Sequence, residues 1–404
     1  MSYADTRDSE QLRFLETPIT EFIWRYQSKS PNPKRRTLFL FPGGMGCQLF
    51  RAKKLYKDSG GPGQKFHYDK VWLTLDTFLG DALKLKMHKD GDGVYRDLNN
   101  RIIIANGSVE IFGLTPYDRF TAWCELNNLD WFIFGWDWRR RLDETVSFFL
   151  NQFLPKFRST VQAKTHCDPL ADFILMGHSF GGMIVDLILR QNNPLLAQMT
   201  RAVTVASPFY GYDGQIHRWF EGESYFNWLG TMNVIKVITS FPGCYTLPYL
   251  DMATYLTNQA ALANDPEFPL LAYPSQLDPF NLVPNQYPGN TGFMLAELQY
   301  ALNIYQTIAA PLTQYADRFF NIRGVQIGDT TVGSIDWKLL TGSFDPSSSP
   351  ISNGPNVPGD GIQPAWSTRL VTLPSSHWVN VRGDIDHMFM MEYDLTQQAI
   401  ADVL

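Results

Sequence analysis

One short segment constrains the fold of this chain more than any other: a serine between two glycines that joins two apolar runs. The run Asp172–Met176 has the length of a strand, and Met183–Arg190 has helical character. Between them lies Gly177-His178-Ser179-Phe180-Gly181, which fits the pattern GxSxG. The pattern alone carries little information, but here it stands in the strand–turn–helix context that it requires. Such a turn lifts the serine clear of a sheet, so Ser179 is a candidate nucleophile.

Further short apolar runs predict the rest of a sheet. Thr37–Phe41 ends at Pro42-Gly43-Gly44, Trp131–Phe134 leads into Gly135, and Ala202–Val205 leads into Ala206-Ser207-Pro208. Short apolar runs are typical of parallel strands that are buried on both faces. Alternation of strands with glycine turns and a helix indicates a doubly wound α/β architecture. We therefore predict the α/β-hydrolase fold, with a mostly parallel central sheet and helices on both faces.

The chain divides into four predicted parts. Residues 1–33 form an N-terminal extension, and residues 34–211 form the first part of the core, with a lid segment at about 50–115. Residues 212–315 are rich in aromatic residues and proline and predict a mostly helical cap, with one helix at Leu295–Ile308. Residues 316–404 complete the core. Their predicted elements are a strand at Arg318–Val325, a loop at Thr341–Gly361, a strand at Arg369–Leu373 and a helix from about Asp386.

Composition excludes several classes of protein. The net charge is −6, which argues against nucleic acid as a partner. The four cysteines show neither a CxxC pair nor a histidine cluster, so we expect no zinc site and no cofactor, while spacing alone leaves one or two disulfides open. The polar first residues resemble no signal peptide, and no run reaches the ~18 apolar residues of a membrane span. We expect a cytoplasmic protein.

Aromatic residues make up 14% of the chain. Most of them are expected in a large aromatic core. The alternative is an apolar pocket, or an interfacial surface that contacts a membrane peripherally and serves lipid-like substrates.

Candidates for a base and an acid follow from chain order, because hydrolases of this fold run serine, acid, histidine. Only His217, His377 and His387 come after Ser179. His217 falls inside the predicted cap, and His387 is favoured over His377 because it follows Asp384-Ile385-Asp386 at a predicted loop-to-helix junction. Two acids fit the order: Asp360, in a Gly-Asp-Gly turn that is also a common turn former, and Asp329, which follows a core strand.

An oxyanion hole needs two backbone N–H donors. The turn at Ser179 offers the N–H of Phe180 at the start of a helix. The glycine-rich loop after Thr37–Phe41 offers the N–H of Gly44, because glycine lets the backbone approach a substrate closely.

Taken together, these motifs resemble the lecithin–cholesterol acyltransferase family, which includes lysosomal phospholipases and phospholipid:diacylglycerol acyltransferases. The resemblance spans about residues 36–395, with gaps in the cap. The segments that carry it are Phe41–Leu49, similar to a PGxxGxxL oxyanion loop; Val71-Trp72-Leu73, similar to a lid tryptophan segment; Trp136-Asp137-Trp138-Arg139, similar to a YDWR signature; Gly177–Gly181; Ala206-Ser207-Pro208; Gly359-Asp360-Gly361; and Asp386-His387.

The resemblance implies a triad of Ser179, Asp360 and His387 with Gly44 and Phe180 as the oxyanion hole. It favours Asp360 over Asp329, and it implies that Met45, Trp72 and Trp136 belong to the substrate pocket or lid. The sequence departs from the family where a GDGTVP-like acid motif reads Gly359-Asp360-Gly361-Ile362-Gln363-Pro364, and where a lid disulfide would need cysteines near Trp72.

We expect a serine-dependent hydrolase or acyltransferase that acts on lipid-like acyl esters through an acyl-serine. The same triad also suits an enzyme of secondary metabolism that transfers or cyclises a carrier-bound acyl chain. A third hypothesis, of another class, is a catalytically silent protein that binds its ligand in the same fold. The sequence leaves the oligomeric state open.

Overall fold

The computed structural model describes residues 11–28, 35–54, 66–72, 74, 82–89, 95–97, 102–110, 113, 115–212, 214–215, 219, 223–226, 230–232, 235–248, 250–270, 294–333, 335–337 and 351–404. Its strands are β1 Arg36–Phe41, β2 Cys47–Lys54, β3 Phe66–Trp72, β4 Met87–Lys89, β5 Tyr95–Asp97, β6 Ile103–Ser108, β7 Leu129–Ile133, β8 Phe173–His178, β9 Met199–Val205, β10 Glu223–Phe226, β11 Gly230–Met232, β12 Phe319–Gln326, β13 Thr331–Val332, β14 Ile335–Trp337, β15 Ile351–Asn353, β16 Asn356–Val357 and β17 Trp378–Gly383.

The α-helices of the described residues are α1 Glu16–Ser28, α2 Asp118–Leu126, α3 Leu142–Phe148, α4 Leu154–Thr165, α5 Phe180–Leu189, α6 Ile235–Ile238, α7 Met252–Ala263, α8 Leu295–Ala309 and α9 Asp394–Val403. A π-helical stretch, Phe149–Phe153, joins α3 to α4. The helix predicted at Leu295–Ile308 is confirmed by α8. Within the described part of the chain, no helix has both the length and the apolar character needed to cross a membrane.

A six-stranded sheet in the order β17-β12-β9-β8-β1-β7 forms the centre of the molecule. Each strand pairs with its neighbour in parallel. The side chains of β8 are buried throughout, as are those of β1 after its first residue. Burial on both faces is typical of a parallel sheet covered by helices. The predicted α/β class and mostly parallel sheet are confirmed.

Aromatic side chains fill much of the core on one face of this sheet. Phe39 of β1 contacts the rings of Phe132, Phe149, Phe153 and Phe157, with ring centroids 5.0 to 6.2 Å apart. Most of these contacts are edge-to-face or tilted, the arrangement that aromatic quadrupoles prefer. Much of the high aromatic content therefore belongs to the core, as the composition predicts.

The predicted lid and cap segments hold elements of their own. In the lid region, β2 pairs antiparallel with β3 and with β6. In the cap region the structure describes α6, α7, α8 and the hairpin of β10 and β11. The boundaries of the four parts stay predictions.

Three predictions near the C-terminus were wrong. The segment Thr341–Gly361, predicted as a loop, contains β15 and β16, and its residues 341–350 lie outside the described residues. Arg369–Leu373 is not a strand, because its N–H groups find partners other than a neighbouring strand. Leu370 N–H donates to Asn321 Oδ1, Val371 N–H to the hydroxyl of Tyr210, and Leu373 N–H to the carbonyl of Leu370. The last strand of the sheet is β17. The final helix, α9, begins at Asp394, so His387 lies in the loop between β17 and α9 and not at the start of a helix.

All four cysteines are free thiols. Cys47, Cys124 and Cys244 are buried, and Cys167 is exposed. The one or two disulfides that the spacing left open do not form.

Candidate active site

Ser179 stands at the turn between β8 and α5 in a strained backbone conformation. Its φ is 52° and its ψ is −127°, a region that residues other than glycine rarely adopt. The turn is held because Ser179 N–H donates to the carbonyl of Val205 at 2.8 Å, and Gly182 N–H donates to the carbonyl of Ser179 at 2.9 Å. Ser179 is only 9% exposed, and surrounding contacts must maintain strain of this kind.

The glycines of this turn are required by close packing. A Cβ on Gly181 would lie 2.1 Å from the carbonyl oxygen of Phe41, and a Cβ on Gly177 would lie 2.5 Å from that of Gly181. Both distances are far below any tolerated contact, and the opposing atoms are backbone. The sequence argument that these positions must be small therefore has a direct steric cause.

The side chains of Ser179, His387 and Asp360 form one hydrogen-bonded relay. His387 Nε2 is 2.8 Å from Ser179 Oγ, and His387 Nδ1 is 2.7 Å from Asp360 Oδ2. The other carboxylate oxygen of Asp360 accepts the N–H groups of Ile362 and Gln363 at 3.1 and 2.7 Å. Asp360 is fully buried. The geometry fits a serine whose proton is taken by a histidine that a carboxylate orients.

The other candidates for the base and the acid lie away from Ser179 or outside the described residues. His377 Nδ1 bonds to the carbonyl of Phe319 at 2.9 Å, and its ring stacks on Phe320. Asp329 is exposed in the loop after β12. His217 lies outside the described residues. Of the candidates that the structure describes, it brings only Asp360 and His387 to Ser179.

The N–H groups of Gly44 and Phe180 are free donors beside Ser179. Neither has a hydrogen-bond acceptor among the residues that the structure describes, and both residues line the cleft that holds Ser179. A Cβ on Gly44 would lie 3.3 Å from the ring of Phe180, so the two residues adjoin. Two unsatisfied N–H groups at one cleft can hold a negatively charged oxygen.

Two tryptophan side chains donate hydrogen bonds to carbonyl groups of the glycine-rich loop. Trp72 Nε1 donates to the carbonyl of Met45 at 2.8 Å, and Met45 itself has a φ of 62°. Trp136 Nε1 donates to the carbonyl of Pro42 at 3.0 Å, and its ring meets that of Phe180 edge-on. These contacts fix the loop that carries the N–H of Gly44.

A buried ion pair holds the segment Trp136-Asp137-Trp138-Arg139. Arg139 Nε and Nη2 donate to the two carboxylate oxygens of Asp137 at 2.8 and 2.7 Å, and Nη1 donates to the carbonyl of Leu85 at 2.9 Å. Bidentate pairing of this kind fixes geometry as well as charge. The segment therefore positions Trp136.

Sequence reasoning missed two polar residues of the site, His178 and Tyr117. Gly43 N–H donates to the hydroxyl of Tyr117 at 3.1 Å, and that hydroxyl is 2.9 Å from His178 Nδ1. His178 Nε2 is 2.9 Å from the carbonyl oxygen of His387. A carbonyl can only accept, so Nε2 carries the proton and Nδ1 accepts from the tyrosine. The only sequence signal for His178 is its place inside the pentapeptide; Tyr117 has none.

His178 stays neutral beside His387. Burial, first, and repulsion from a charged His387, second, lower the pKa of His178 to about 3. Burial likewise raises the pKa of the Tyr117 hydroxyl well above its usual range. Neither group therefore competes with His387 for a proton near neutral pH.

The cleft around Ser179 has mostly apolar walls. Of the residues assigned to the pocket or lid from the sequence, Met45 and Trp72 line it, whereas Trp136 does not, because its ring is packed behind the loop of Gly43 and Gly44. The apolar lining residues are Met45, Trp72, Val109, Pro116, Phe180, Leu247, Ile362 and Met388.

No protein-family model matches the chain, and no curated protein sequence matches it. Solved structures do. A chain of the Tle4–Tli4 complex matches with a TM-score of 0.56 and 13% identity, over 92% of this chain and 98% of that one. The mature lipase BlEst2 of Bacillus licheniformis matches with a TM-score of 0.39 and 10% identity over 93% and 94%, and lipase 1 from Pelosinus fermentans with 0.35 and 10% over 91% and 97%.

At 13% identity the likeness to the chain of the Tle4–Tli4 complex shows the fold alone. It agrees with the parallel six-stranded sheet and with the strand–serine–helix turn between β8 and α5. This chain has the α/β-hydrolase fold.

Proposed function

We propose that this protein is a serine-dependent ester hydrolase or acyltransferase that acts on lipid-like acyl esters through an acyl-serine intermediate. The observation that carries the proposal is the relay from Ser179 Oγ through His387 to Asp360, at 2.8 and 2.7 Å, beside a cleft with two free N–H donors. A catalytically silent protein has no need of such a relay.

The first half-reaction uses each of these groups. Ser179 Oγ attacks the ester carbonyl carbon while its proton passes to Nε2 of His387, and Asp360 stabilises the imidazolium through Nδ1–H. The carbonyl electron pair moves onto oxygen, where the N–H groups of Gly44 and Phe180 hold it. Collapse of this intermediate breaks the bond to the alcohol, which leaves with the proton from His387. An acyl-serine remains.

In the second half-reaction water or a second alcohol attacks the acyl-serine, with His387 again as base. The apolar walls of the cleft favour a lipid-like acyl chain, because they bury apolar surface. The resemblance to the lecithin–cholesterol acyltransferase family supports the same substrate class and includes enzymes that transfer the acyl group to an alcohol. Membership of that family is part of the proposal.

The test is turnover of phospholipid vesicles, neutral lipid esters and acyl thioesters by the purified protein, with and without an added alcohol. Lipid esters are expected to be cleaved, and new esters of the added alcohol will appear if the acceptor is an alcohol. Preference for thioesters would favour the secondary-metabolism alternative. Lipid binding without turnover of any ester would contradict the proposal.

Matched variants assign the roles. Asp360→Asn is expected to lower kcat by about 10⁴-fold, as loss of the orienting carboxylate does in related relays. The control Asp329→Asn makes the same aspartate-to-asparagine change in an exposed loop and is expected to leave kcat unchanged. His387→Gln should abolish turnover, and His377→Gln should not. Equal losses in either pair would contradict the assignment.

A further inference from the structure

The backbone of Gln363 bonds to Asp360, whereas the oxygen of its side chain has no hydrogen-bond partner among the described residues. Its N–H donates to Asp360 Oδ1 at 2.7 Å, and its carbonyl accepts the N–H of Asp360 at 3.2 Å. Gln363 also lines the cleft of Ser179. Both backbone groups are bonded to Asp360, so the carboxamide is the remaining polar part of Gln363.

The oxygen of that carboxamide is buried and has no partner among the described residues. Gln363 is only 2% exposed, and its Oε1 has no hydrogen-bond partner within the part of the chain that the structure describes. Buried polar groups are nearly always paired, and leaving one unpaired is costly. Five other polar side chains of the cleft are engaged in hydrogen bonds: those of Tyr117, His178, Ser179, His387 and Trp72.

The neighbours of Gln363 indicate which part of a substrate it would meet. His387 must hand its proton to the leaving oxygen, so the alcohol part of the ester departs on the His387 side of the cleft. Ile362, Gln363 and Met388 line the cleft and lie within three positions of Asp360 or His387 in the chain. Gly44 and Phe180, which would hold the carbonyl oxygen, line the cleft from the loop after β1 and from the start of α5.

The side chains that line the cleft limit the chemical class of the ligand further. A carboxamide offers an acceptor oxygen and two N–H donors, which suits a hydroxyl group. No arginine, lysine, aspartate or glutamate is among the described residues that line the cleft. A charged group such as a phosphate would therefore find no countercharge there, whereas a neutral hydroxyl would complete the unpaired amide.

We infer that Gln363 is a specificity residue that binds a free hydroxyl on the alcohol part of a neutral ester. Partial glycerides and other polyol esters are thus the preferred substrates over plain alkyl esters. The inference rests on the proposed function for its reaction, but recognition by Gln363 is a property of binding. A site built to bond a hydroxyl rejects an analogue without one because its own polar group then stays unpaired.

The binding test uses the Ser179→Ala protein and two ethers that no esterase can cleave, 1-O-octylglycerol and octyl propyl ether. The glyceryl ether is expected to bind at least about tenfold more tightly. Adding Gln363→Met, which keeps the side-chain length, should remove that preference. Adding Gln397→Met, a change of another buried glutamine, in α9 and bonded to the carbonyl of Met391, should keep it.

The turnover test uses 1-octanoylglycerol and propyl octanoate, which share an acyl chain. The ratio of their kcat/KM values is expected to exceed about ten in the wild type and to approach one in Gln363→Met. A general structural defect would lower both values and leave the ratio intact. An equal affinity for the two ethers, or a ratio that Gln363→Met does not change, would overturn the inference. Absence of all ester turnover with an intact ether preference would overturn the proposed function and leave the role of Gln363 supported.

Discussion

The imidazole of His178 donates from Nε2 to the backbone carbonyl of His387, with 2.9 Å between the two atoms. The residue that precedes the candidate nucleophile thus holds the loop that carries the candidate base. The other ring nitrogen of His178 reaches Gly43, in the glycine-rich loop, through the hydroxyl of Tyr117. One neutral hydrogen-bond chain therefore joins the loop of the base to the loop of the oxyanion donors.

The first prediction concerns this positioning role. His178→Phe removes both hydrogen bonds, so the loop of His387 loses its anchor and kcat is expected to fall by about 10- to 100-fold, since small misplacements of a catalytic group are costly. KM should change much less. His178→Gln keeps an N–H donor and should lose less activity. Steady-state kinetics on one ester measure both variants.

The matched control for that prediction is His377→Phe, which removes a histidine hydrogen bond to the carbonyl of Phe319, away from Ser179. It is expected to leave kcat within about twofold of the wild type. If both substitutions lowered kcat alike, the loss would reflect stability and not positioning.

Acid should destabilise the fold through His178. Its pKa is about 3 in the folded protein against 6.5 for an ordinary histidine, because burial disfavours its charged form. Below pH 6.5 the unfolded chain binds a proton that the folded chain refuses, so stability falls as pH drops from 6.5 towards 3. The slope expected from one group is about 1.4 kcal/mol per pH unit.

Urea unfolding of the wild type and His178→Gln at pH 7.5 and pH 5 isolates this contribution. The variant should lose about 2 kcal/mol less than the wild type between those two pH values. Asp265 does not contribute to this difference between pH 7.5 and pH 5. Burial raises its pKa, but hydrogen bonds from Arg323 and from backbone N–H groups outweigh burial and lower the pKa to about 2. Its contribution is lost only below pH 3.8. Parallel pH curves for the two proteins would argue against a neutral, buried His178.

How much of this site the sequence could predict depends on the range of each contact. Ser179 follows from a local pattern and His387 from chain order and its local context, whereas chain order left both Asp360 and Asp329 open and the family resemblance favoured Asp360. The bonds of Tyr117 to His178 and of His178 to the carbonyl of His387 join residues 61 and 209 positions apart, and no local pattern encodes them. The prediction for Arg369–Leu373 was wrong for a related reason, since distant side chains satisfy its backbone there.

Steric crowding at the serine turn predicts a sharp difference between two glycines. Gly181→Ala places a Cβ 2.1 Å from the backbone of Phe41, so β1 or α5 must move, and the free energy of unfolding should fall by at least about 2 kcal/mol. In Gly383→Ala the new Cβ meets only the tip of Leu395 at 3.3 Å. That variant should stay within about 0.5 kcal/mol of the wild type. Similar losses in both variants would show that the turn is not tightly packed.

The four thiols should react with an aromatic disulfide reagent at very different rates. Cys167 is exposed and is expected to react rapidly in the native protein. Burial raises the pKa of Cys47 to about 12 and shields it, and Cys124 and Cys244 are also buried. We expect one fast thiol in the native state, four in denaturant and no fast thiol in Cys167→Ser. More than one fast thiol in the native wild type would contradict the described core.

The most direct test of the central claim is the mass of the protein after reaction with a fluorophosphonate, followed by peptide mapping. The account predicts one adduct per chain, on Ser179, because only this serine has a histidine base at 2.8 Å and free N–H donors beside it among the described residues. Ser179→Ala should take up no label, and Ser159→Ala, on the exposed side of α4, should label like the wild type. An adduct that persists in folded Ser179→Ala, or that maps to another serine, would contradict the assignment of Ser179 as the nucleophile.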